Sequence, residues 1–152
     1  LSVVSSMRFH WLEPDVITYT AAISACGKGA HSQQALAMFS DMPRGIIKPN
    51  FKTYCAVITA CEGGGQWSEA LDIFADIRRS CTEVDVFTYT AAINACEQGA
   101  LWQEALDIVS DLHLQHLQPD VVTYSLAISA CEKGERWHEG LGVFLDMRLR
   151  RL

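Results

Sequence analysis

The chain has 152 residues, of which 49% are hydrophobic, and carries a formal net charge of −6. This length and composition suit one domain with enough apolar residues to form a core. No apolar run reaches the roughly 18 residues that a membrane-spanning helix needs, and no secretion signal is visible, so we expect a soluble protein without a membrane partner. The negative charge excludes nucleic-acid binding by bulk electrostatics, because phosphate contacts come mainly from lysine and arginine.

One segment, Asp15 to Cys26, recurs along the chain. It is nearly repeated from Asp85 to Cys96, and similar versions run from Asn50 to Cys61 and from Asp120 to Cys131. The recurrence has a period of 35 residues, as the spacing from Tyr19 to Tyr54 shows, and such a period indicates a repeat architecture. We predict the C-terminal part of a repeat at 1–15, full repeats at 16–50, 51–85 and 86–120, and a nearly complete repeat at 121–152, all within a longer array.

The first half of each repeat predicts a helix. Its N-terminus is marked by a residue that can cap a helix with a side-chain oxygen, namely Asp15, Asn50, Asp85 or Asp120. Tyr19, Ile23 and Cys26 recur at helical spacing and form one apolar stripe. Each of these helices should end at a glycine in the left-handed conformation: Gly29, Gly64, Gly99 and Gly134.

The second half of each repeat predicts an amphipathic helix. It opens at Ser32, Trp67, Trp102 or Trp137. The tryptophans could form a binding platform, but their place at the start of a core-facing helix favours packing between repeats. The fold class that follows is all-α, a right-handed α-solenoid of antiparallel helix pairs.

The residues that carry chemistry in enzymes and metal sites show no suitable pattern. Four of the six cysteines recur once per repeat and no CxxC pair is present, which favours small buried thiols over a disulfide or zinc framework. His113 and His116 lack an acidic or cysteine partner at metal-binding spacing. The acidic row on the second helices has one member per repeat, too far apart for acid and base pairs, and favours a structural or solvated role: Asp41, Asp76, Asp111 and Asp146. We therefore expect no enzyme activity, no cofactor, no metal and no small-molecule substrate.

Two motifs carry a family resemblance. Pro14 to Tyr19 and Pro119 to Tyr124 both read Pro-Asp-Val-x-Thr-Tyr, and the second helix of the first full repeat reads Gln34-Ala-Leu through Phe39 to Met42, with Glu104-Ala-Leu at the same place two repeats later. With the 35-residue period, these motifs closely resemble the pentatricopeptide repeat family over the whole chain. The 34-residue tetratricopeptide and the ankyrin signatures are absent.

The resemblance implies sequence-specific binding of single-stranded RNA, with one base read per repeat by two or three side chains. In the family, the fifth and last residues of a repeat read the base edge, the second residue packs on the base plane, and a lysine near the end of the first helix meets phosphate. The implied base-recognition residues are Thr20, Asn50, Cys55, Asp85, Thr90, Asp120 and Ser125. The implied stacking residues are Ile17, Lys52, Phe87 and Val122, and the implied phosphate residues are Lys28 and Lys133.

The resemblance also implies a partial RNA register. Thr20 with Asn50 is similar to the family's adenine pair, and Thr90 with Asp120 to its guanine pair. Ser125 implies a purine. The pair of Cys55 and Asp85 departs from the family's usual pattern because a thiol is a weak hydrogen-bonding group, and it receives no assignment. The expected register, from the RNA 5′ end, is therefore A, unassigned, G and a purine.

Other interpretations stay open. Capping alone would explain the recurring Asp and Asn, and Glu62, Glu97 and Glu132 would repel a phosphate backbone if they face it. The chain by itself should therefore bind RNA weakly. One hypothesis is an RNA-binding module for RNA processing, stability, editing or translation in a mitochondrion or chloroplast, and further domains of such a protein could lie outside this sequence. The alternative is a protein-binding helical-repeat scaffold without RNA recognition, so other proteins are also possible partners.

Overall fold

The computed structural model describes residues 15–44, 47–79 and 84–150. Within these ranges every regular element is an α-helix, and no strand is present. The helices are α1 Val16–Lys28, α2 Ser32–Arg44, α3 Phe51–Gly63, α4 Trp67–Arg79, α5 Val86–Gln98, α6 Trp102–Leu114, α7 Val121–Lys133 and α8 Trp137–Leu149. The predicted partial repeat at 1–15 lies outside the described residues except for Asp15.

The helices form two compact units, Leu1–Thr82 and Glu83–Leu152. In the first unit α1 packs on its own second helix α2 and on α3, and α3 also packs on α2 and α4. In the second unit α5 packs on α6 and α7, and α7 also packs on α6 and α8. Each unit therefore holds two helix pairs, and its two first helices lie against each other. We call the contact of α1 with α3 the glycine junction and that of α5 with α7 the charged junction, for the residues described below.

The predicted helix caps are confirmed. The backbone N–H of Thr18 donates to the Asp15 carboxylate at 2.8 Å, and that of Thr53 donates to the Asn50 side-chain oxygen at 3.0 Å. Asp85 and Asp120 accept the same bond from Thr88 and Thr123 at 2.9 and 2.8 Å. All four caps have extended backbone conformations, which is why each first helix begins one residue later.

The prediction that the closing glycines are left-handed was wrong by one residue. Gly134 has a φ of −82°, whereas Glu135 after it has a φ of 57°. The N–H of Arg136 donates to the Cys131 carbonyl at 2.8 Å and that of Glu135 to the Glu132 carbonyl at 3.0 Å, which is the Schellman pattern. The left-handed position is held in the same way by Ala30, Gly65 and Ala100.

The glycine before the left-handed residue is needed for space. A Cβ added to Gly134 would lie 2.4 Å from Cδ1 of Trp102, and one added to Gly64 would lie 2.0 Å from Oγ of Ser32. Trp102 and Ser32 open the second helices of the preceding repeats, so the start of one repeat's second helix packs against the end of the next repeat's first helix. Packing between repeats is thereby confirmed for Trp102.

The apolar stripes of the first helices form the core of each unit. Tyr19, Tyr89 and Tyr124 are fully or almost fully buried, as are Ile23 and Ile93. The Tyr89 hydroxyl donates to Asp111 at 2.6 Å and the Tyr124 hydroxyl to Asp146 at 2.7 Å. These two members of the acidic row therefore have a structural role, because they satisfy a tyrosine hydroxyl inside the helix pair.

Candidate nucleic-acid interface

The four predicted stacking residues are exposed side chains at one recurring position, and three of them are apolar. Ile17 is 72% exposed, Phe87 63% and Val122 57%. Lys52 holds the same position in α3 and is also exposed; its ammonium lies 5.9 Å from the centre of the Phe51 ring. Large apolar side chains that are repeatedly left in solvent on the same face indicate a surface suited to a flat or apolar ligand.

At the glycine junction, the two predicted base-reading residues are joined through a third residue. The Thr20 hydroxyl lies 2.8 Å from the Thr53 hydroxyl, and the Thr53 hydroxyl donates to Oδ1 of Asn50 at 3.0 Å. The Thr20 oxygen also lies 2.7 Å from the carbonyl of Val16, and its single proton is donated either to that carbonyl or to the Thr53 oxygen. Thr53 is fully buried, so its bonds to Thr20 and Asn50 are shielded from water. The structure therefore brings Thr20 and Asn50 into one network.

The charged junction repeats this network with a carboxylate. The Thr90 hydroxyl lies 2.8 Å from the Thr123 hydroxyl, which donates to Oδ1 of Asp120 at 2.8 Å. Thr123 is fully buried like Thr53. The backbone N–H of Thr123 and then its hydroxyl lower the pKa of Asp120, so this side chain is ionised at neutral pH.

The two networks differ in what the cap presents outward. In both, the inward bonds from the threonine use Oδ1. The second polar atom is then the amide nitrogen of Asn50, a donor, or the carboxylate Oδ2 of Asp120, an acceptor. The same fold position thus presents opposite hydrogen-bonding character in the two junctions.

The remaining predicted base-reading residues are Ser125, Cys55 and Asp85. The Ser125 hydroxyl donates to the carbonyl of Val121 in its own helix at 2.7 Å and is exposed. Cys55 is half-buried in α3, and Asp85 caps α5. Cys55 belongs to the first unit and Asp85 to the second.

The two predicted phosphate residues have different surroundings. Lys28 lies exposed in the last turn of α1. Lys133 instead forms an ion pair with Glu97, with 2.8 Å between Nζ and Oε1, and the Ser129 hydroxyl donates to the same oxygen at 2.9 Å. The hydrogen bond from Lys133 lowers the pKa of Glu97. The glutamate that we expected to repel phosphate is therefore bonded to the lysine that we expected to attract it.

No group of three or more histidine, cysteine, aspartate and glutamate residues with metal-binding geometry occurs in the described part of the chain. Burial raises the pKa of Cys61 to about 11 and of Cys96 to about 12, so these thiols are neutral and unreactive at physiological pH. Among the described helices, none is both long and apolar enough to cross a bilayer.

Sequence reasoning missed the bridging threonines and the ion pair. The threonines did carry a signal, because the third residue of every first helix is threonine: Thr18, Thr53, Thr88 and Thr123. This position belongs neither to the apolar stripe nor to the predicted base-reading face. The partners Glu97 and Lys133 come from different repeats, and no pattern within one repeat connects them.

Family models of pentatricopeptide repeats match along the chain. The PPR repeat family model matches residues 14–63, the pentatricopeptide repeat domain model residues 72–133, and the PPR repeat model residues 52–81 and 122–152. No curated protein sequence matches the chain significantly.

Solved structures agree with these matches. The pentatricopeptide repeat protein PPR10 in complex with an 18-nt psaJ RNA element is 27% identical with a TM-score of 0.76, over 91% of this chain and 20% of that one. The pentatricopeptide repeat protein PPR10 from maize is 23% identical with a TM-score of 0.72, over 98% of this chain and 21% of that one. The PPR domain of Arabidopsis thaliana protein-only RNase P 1 in complex with tRNA is 11% identical with a TM-score of 0.77, over 94% and 77%.

The chain thus spans about a fifth of the PPR10 chains that it matches. The likenesses under 25% identity concern the fold, and they confirm the predicted all-α solenoid class of antiparallel helix pairs. The family models together cover residues 14–152. The chain belongs to the pentatricopeptide repeat family.

Proposed function

We propose that this chain binds single-stranded RNA and reads one base per repeat. Family membership supports the proposal, as does the 27% identity to a protein solved in complex with an RNA element. The observation that carries it is the network that joins Thr20 to Asn50 and Thr90 to Asp120, each beside an exposed apolar side chain. Such a site stacks a base on the apolar residue and reads its edge with the polar ones.

The outward atoms of the caps match the proposed bases. Adenine has an acceptor at N1 on its Watson–Crick edge, which the amide nitrogen of Asn50 can bond as a donor. Guanine has donors at N1 and N2, which the ionised Asp120 can accept. The proposed register is A for the first full repeat and G for the third, with a purine at Ser125 and no assignment for Cys55 with Asp85.

Phosphate contacts are assigned to Lys28 and Lys133. Packing against the base planes is assigned to Ile17, Lys52, Phe87 and Val122. The proposed biological setting is a mitochondrion or chloroplast, where the chain would act in processing, stability, editing or translation of a transcript. The action is binding without catalysis by these repeats, since stacking, edge recognition and phosphate contacts account for every residue named.

The test is a binding titration at ~50 mM salt, where phosphate contacts are strong enough to detect a short array. An RNA with the register A-N-G-R is compared with a control in which the purines are replaced by pyrimidines. The Asn50→Asp substitution should move the preference at the first position from adenine toward guanine by about tenfold, the scale of one good base contact. Asp120→Asn is the reciprocal change and should move the third position from guanine toward adenine.

Both substitutions keep a good helix cap, so neither should change folding much. Equal binding of the two RNAs, together with no shift in either variant, would reject RNA reading. A protein-binding scaffold would then be the better explanation of the same surface.

A further inference from the structure

The Glu97–Lys133 ion pair lies in line with the base-reading residues of the charged junction. Residues spaced successively by three or four positions share one face of a helix. On α5 this face carries Phe87, Thr90, Asn94 and Glu97. On α7 it carries Val122, Ser125, Ser129 and Lys133. The ion pair therefore continues the candidate interface toward the C-terminal ends of both helices.

The pair has a covered anion and an accessible cation. The Glu97 side chain is 16% exposed, and the Lys133 side chain is 44% exposed. Glu97, on α5, also accepts a hydrogen bond from Ser129 at 2.9 Å, so two side chains of α7 bond the same carboxylate oxygen. The Lys133 ammonium is thus fixed on the candidate RNA face while its charge is balanced by a carboxylate 2.8 Å away.

We propose that Glu97 competes with RNA phosphate for the Lys133 ammonium and so limits the affinity of the RNA site. When a phosphate arrives, Lys133 exchanges the carboxylate for it, and the electrostatic gain of the contact is reduced by the ion pair that is lost. Glu97 is a positioning residue that acts through Lys133. The inference rests on the proposed function, but it concerns phosphate affinity, which is independent of base choice.

The glycine junction has no charged pair at the equivalent positions. The residues equivalent to Glu97 and Lys133 are Gly27 and Gly63, which carry no charge. The lysine of that unit, Lys28, is exposed in its last helical turn. Charge masking by a neighbouring repeat is therefore a property of the charged junction among the residues that the structure describes.

The experiment measures RNA affinity between ~50 and 200 mM salt for the unaltered chain, Glu97→Gln, Lys133→Gln and the double variant. Glutamine keeps an oxygen that can accept from Ser129 and Lys133 but removes the charge. Glu97→Gln should bind about fivefold tighter at the lower salt, and its plot of log affinity against log salt should steepen by about 0.7, the value for one additional phosphate contact on a single strand. Lys133→Gln alone should lose less than about twofold, and in the double variant the gain should vanish.

Glu132→Gln is the matched control, because it removes the same charge from an exposed side chain next to Lys133. It should leave the salt dependence unchanged. If it steepens the slope as much as Glu97→Gln does, net charge explains the gain and the inference is overturned. Circular dichroism and thermal melting confirm that each variant is folded before its affinity is interpreted.

A second RNA with a scrambled register separates this inference from the proposed function. An equal gain of Glu97→Gln on both RNAs is the expected result. If the matched RNA is preferred but Glu97→Gln does not bind RNA more tightly, Glu97 only stabilises the contact between repeats. The inference then fails while RNA reading stands. If neither RNA is preferred but the gain appears and needs Lys133, base reading fails and the inference stands. If no variant binds either RNA, both fail.

Discussion

The glycine junction and the charged junction are alike near the N-termini of their first helices and differ near the C-termini. Both join their proposed base-reading residues through a buried threonine, with hydroxyl separations of 2.8 Å in each. At the far end, a Cβ on Gly27 would lie 3.1 Å from Cα and Cβ of Ala60, whereas Glu97, at the position equivalent to Gly27, forms a 2.8 Å ion pair with Lys133. The repeat thus keeps the threonine network and allows either close backbone contact or a charged pair nearer the C-terminal ends of the two first helices.

The largest effect is expected from a feature that both junctions need. Gly134→Ala places a Cβ 2.4 Å from the Trp102 ring, and neither the ring nor the helix end can move without losing packing. We expect the free energy of unfolding to fall by about 3 kcal/mol, the upper range for overpacking. Urea denaturation followed by circular dichroism measures it.

Gly142→Ala is the control for that experiment. It adds the same methyl group to a helix position with nothing within 4 Å, and it should raise the free energy of unfolding by about 0.5–1 kcal/mol through helix propensity. A loss at Gly142 equal to that at Gly134 would contradict the steric explanation.

The bridging threonines should distinguish the junctions by the charge of their acceptor. Thr123→Val removes a hydroxyl that donates to a carboxylate at 2.8 Å, whereas Thr53→Val removes one that donates to an amide oxygen at 3.0 Å. We expect losses of about 2 and about 1 kcal/mol in the free energy of unfolding, since bonds to charged groups are stronger. Serine at either position should restore most of the loss, and equal losses for the two valine variants would remove the distinction.

The close contact of the glycine junction predicts a smaller effect. Gly27→Ala should lower the free energy of unfolding by about 1 kcal/mol, because Ala60 must yield by a few tenths of an ångström. Gly63→Ala, whose Cβ would lie at an ordinary 3.5 Å from the Gly27 carbonyl, should cost nothing measurable. If the two variants melt at the same temperature, close approach at Gly27 does not hold the junction.

The smallest effect is on acid sensitivity. The folded-state pKa of Asp120 lies below its ordinary value of 3.8, because the Thr123 N–H bonds the ionised form. Its contribution is therefore present above about pH 4 and is lost as the pH falls through the lowered pKa. As Asp120 is exposed, we expect about 0.5 kcal/mol or less.

Asn50 occupies the same position without a titrating group. Asp120→Asn should therefore flatten the fall in stability as the pH drops below about 4, and Asn50→Asp should steepen it, as measured by urea denaturation at each pH. Identical pH profiles for the two variants would show that the cap bond does not shift the carboxyl pKa.

The fold could be predicted from the sequence because its determinants repeat within each unit. The caps at Asp15 and Asn50 and the stripe of Tyr19 and Ile23 are local patterns, and the structure confirms them. The left-handed residue was misplaced by one position, because Gly134 is required by the neighbouring Trp102 and not by its own backbone angle. Local propensity alone cannot separate these two causes.

The candidate site was predictable only where the family resemblance reached. Thr20 and Asn50 were paired by that resemblance, but their physical link, the buried hydroxyl of Thr53, depends on how two repeats pack. The same holds for Glu97 and Lys133, which are 36 positions apart, one more than the repeat period. Side chains that meet across repeats do not leave a signal at a single spacing within one repeat.

The cap residue both begins a helix and is proposed to read a base, which has a consequence for how such arrays change over time. Asn50 and Asp120 cap the N-termini of α3 and α7 through the same atom, Oδ1, and asparagine, aspartate and serine cap helices about equally well. If the repeats read bases as proposed, a mutation that exchanges one for another at this position would change the preferred base while leaving the fold almost untouched. Selection on the target can therefore proceed without selection on stability, and repeats with new preferences can accumulate in a scaffold that does not need to be rebuilt.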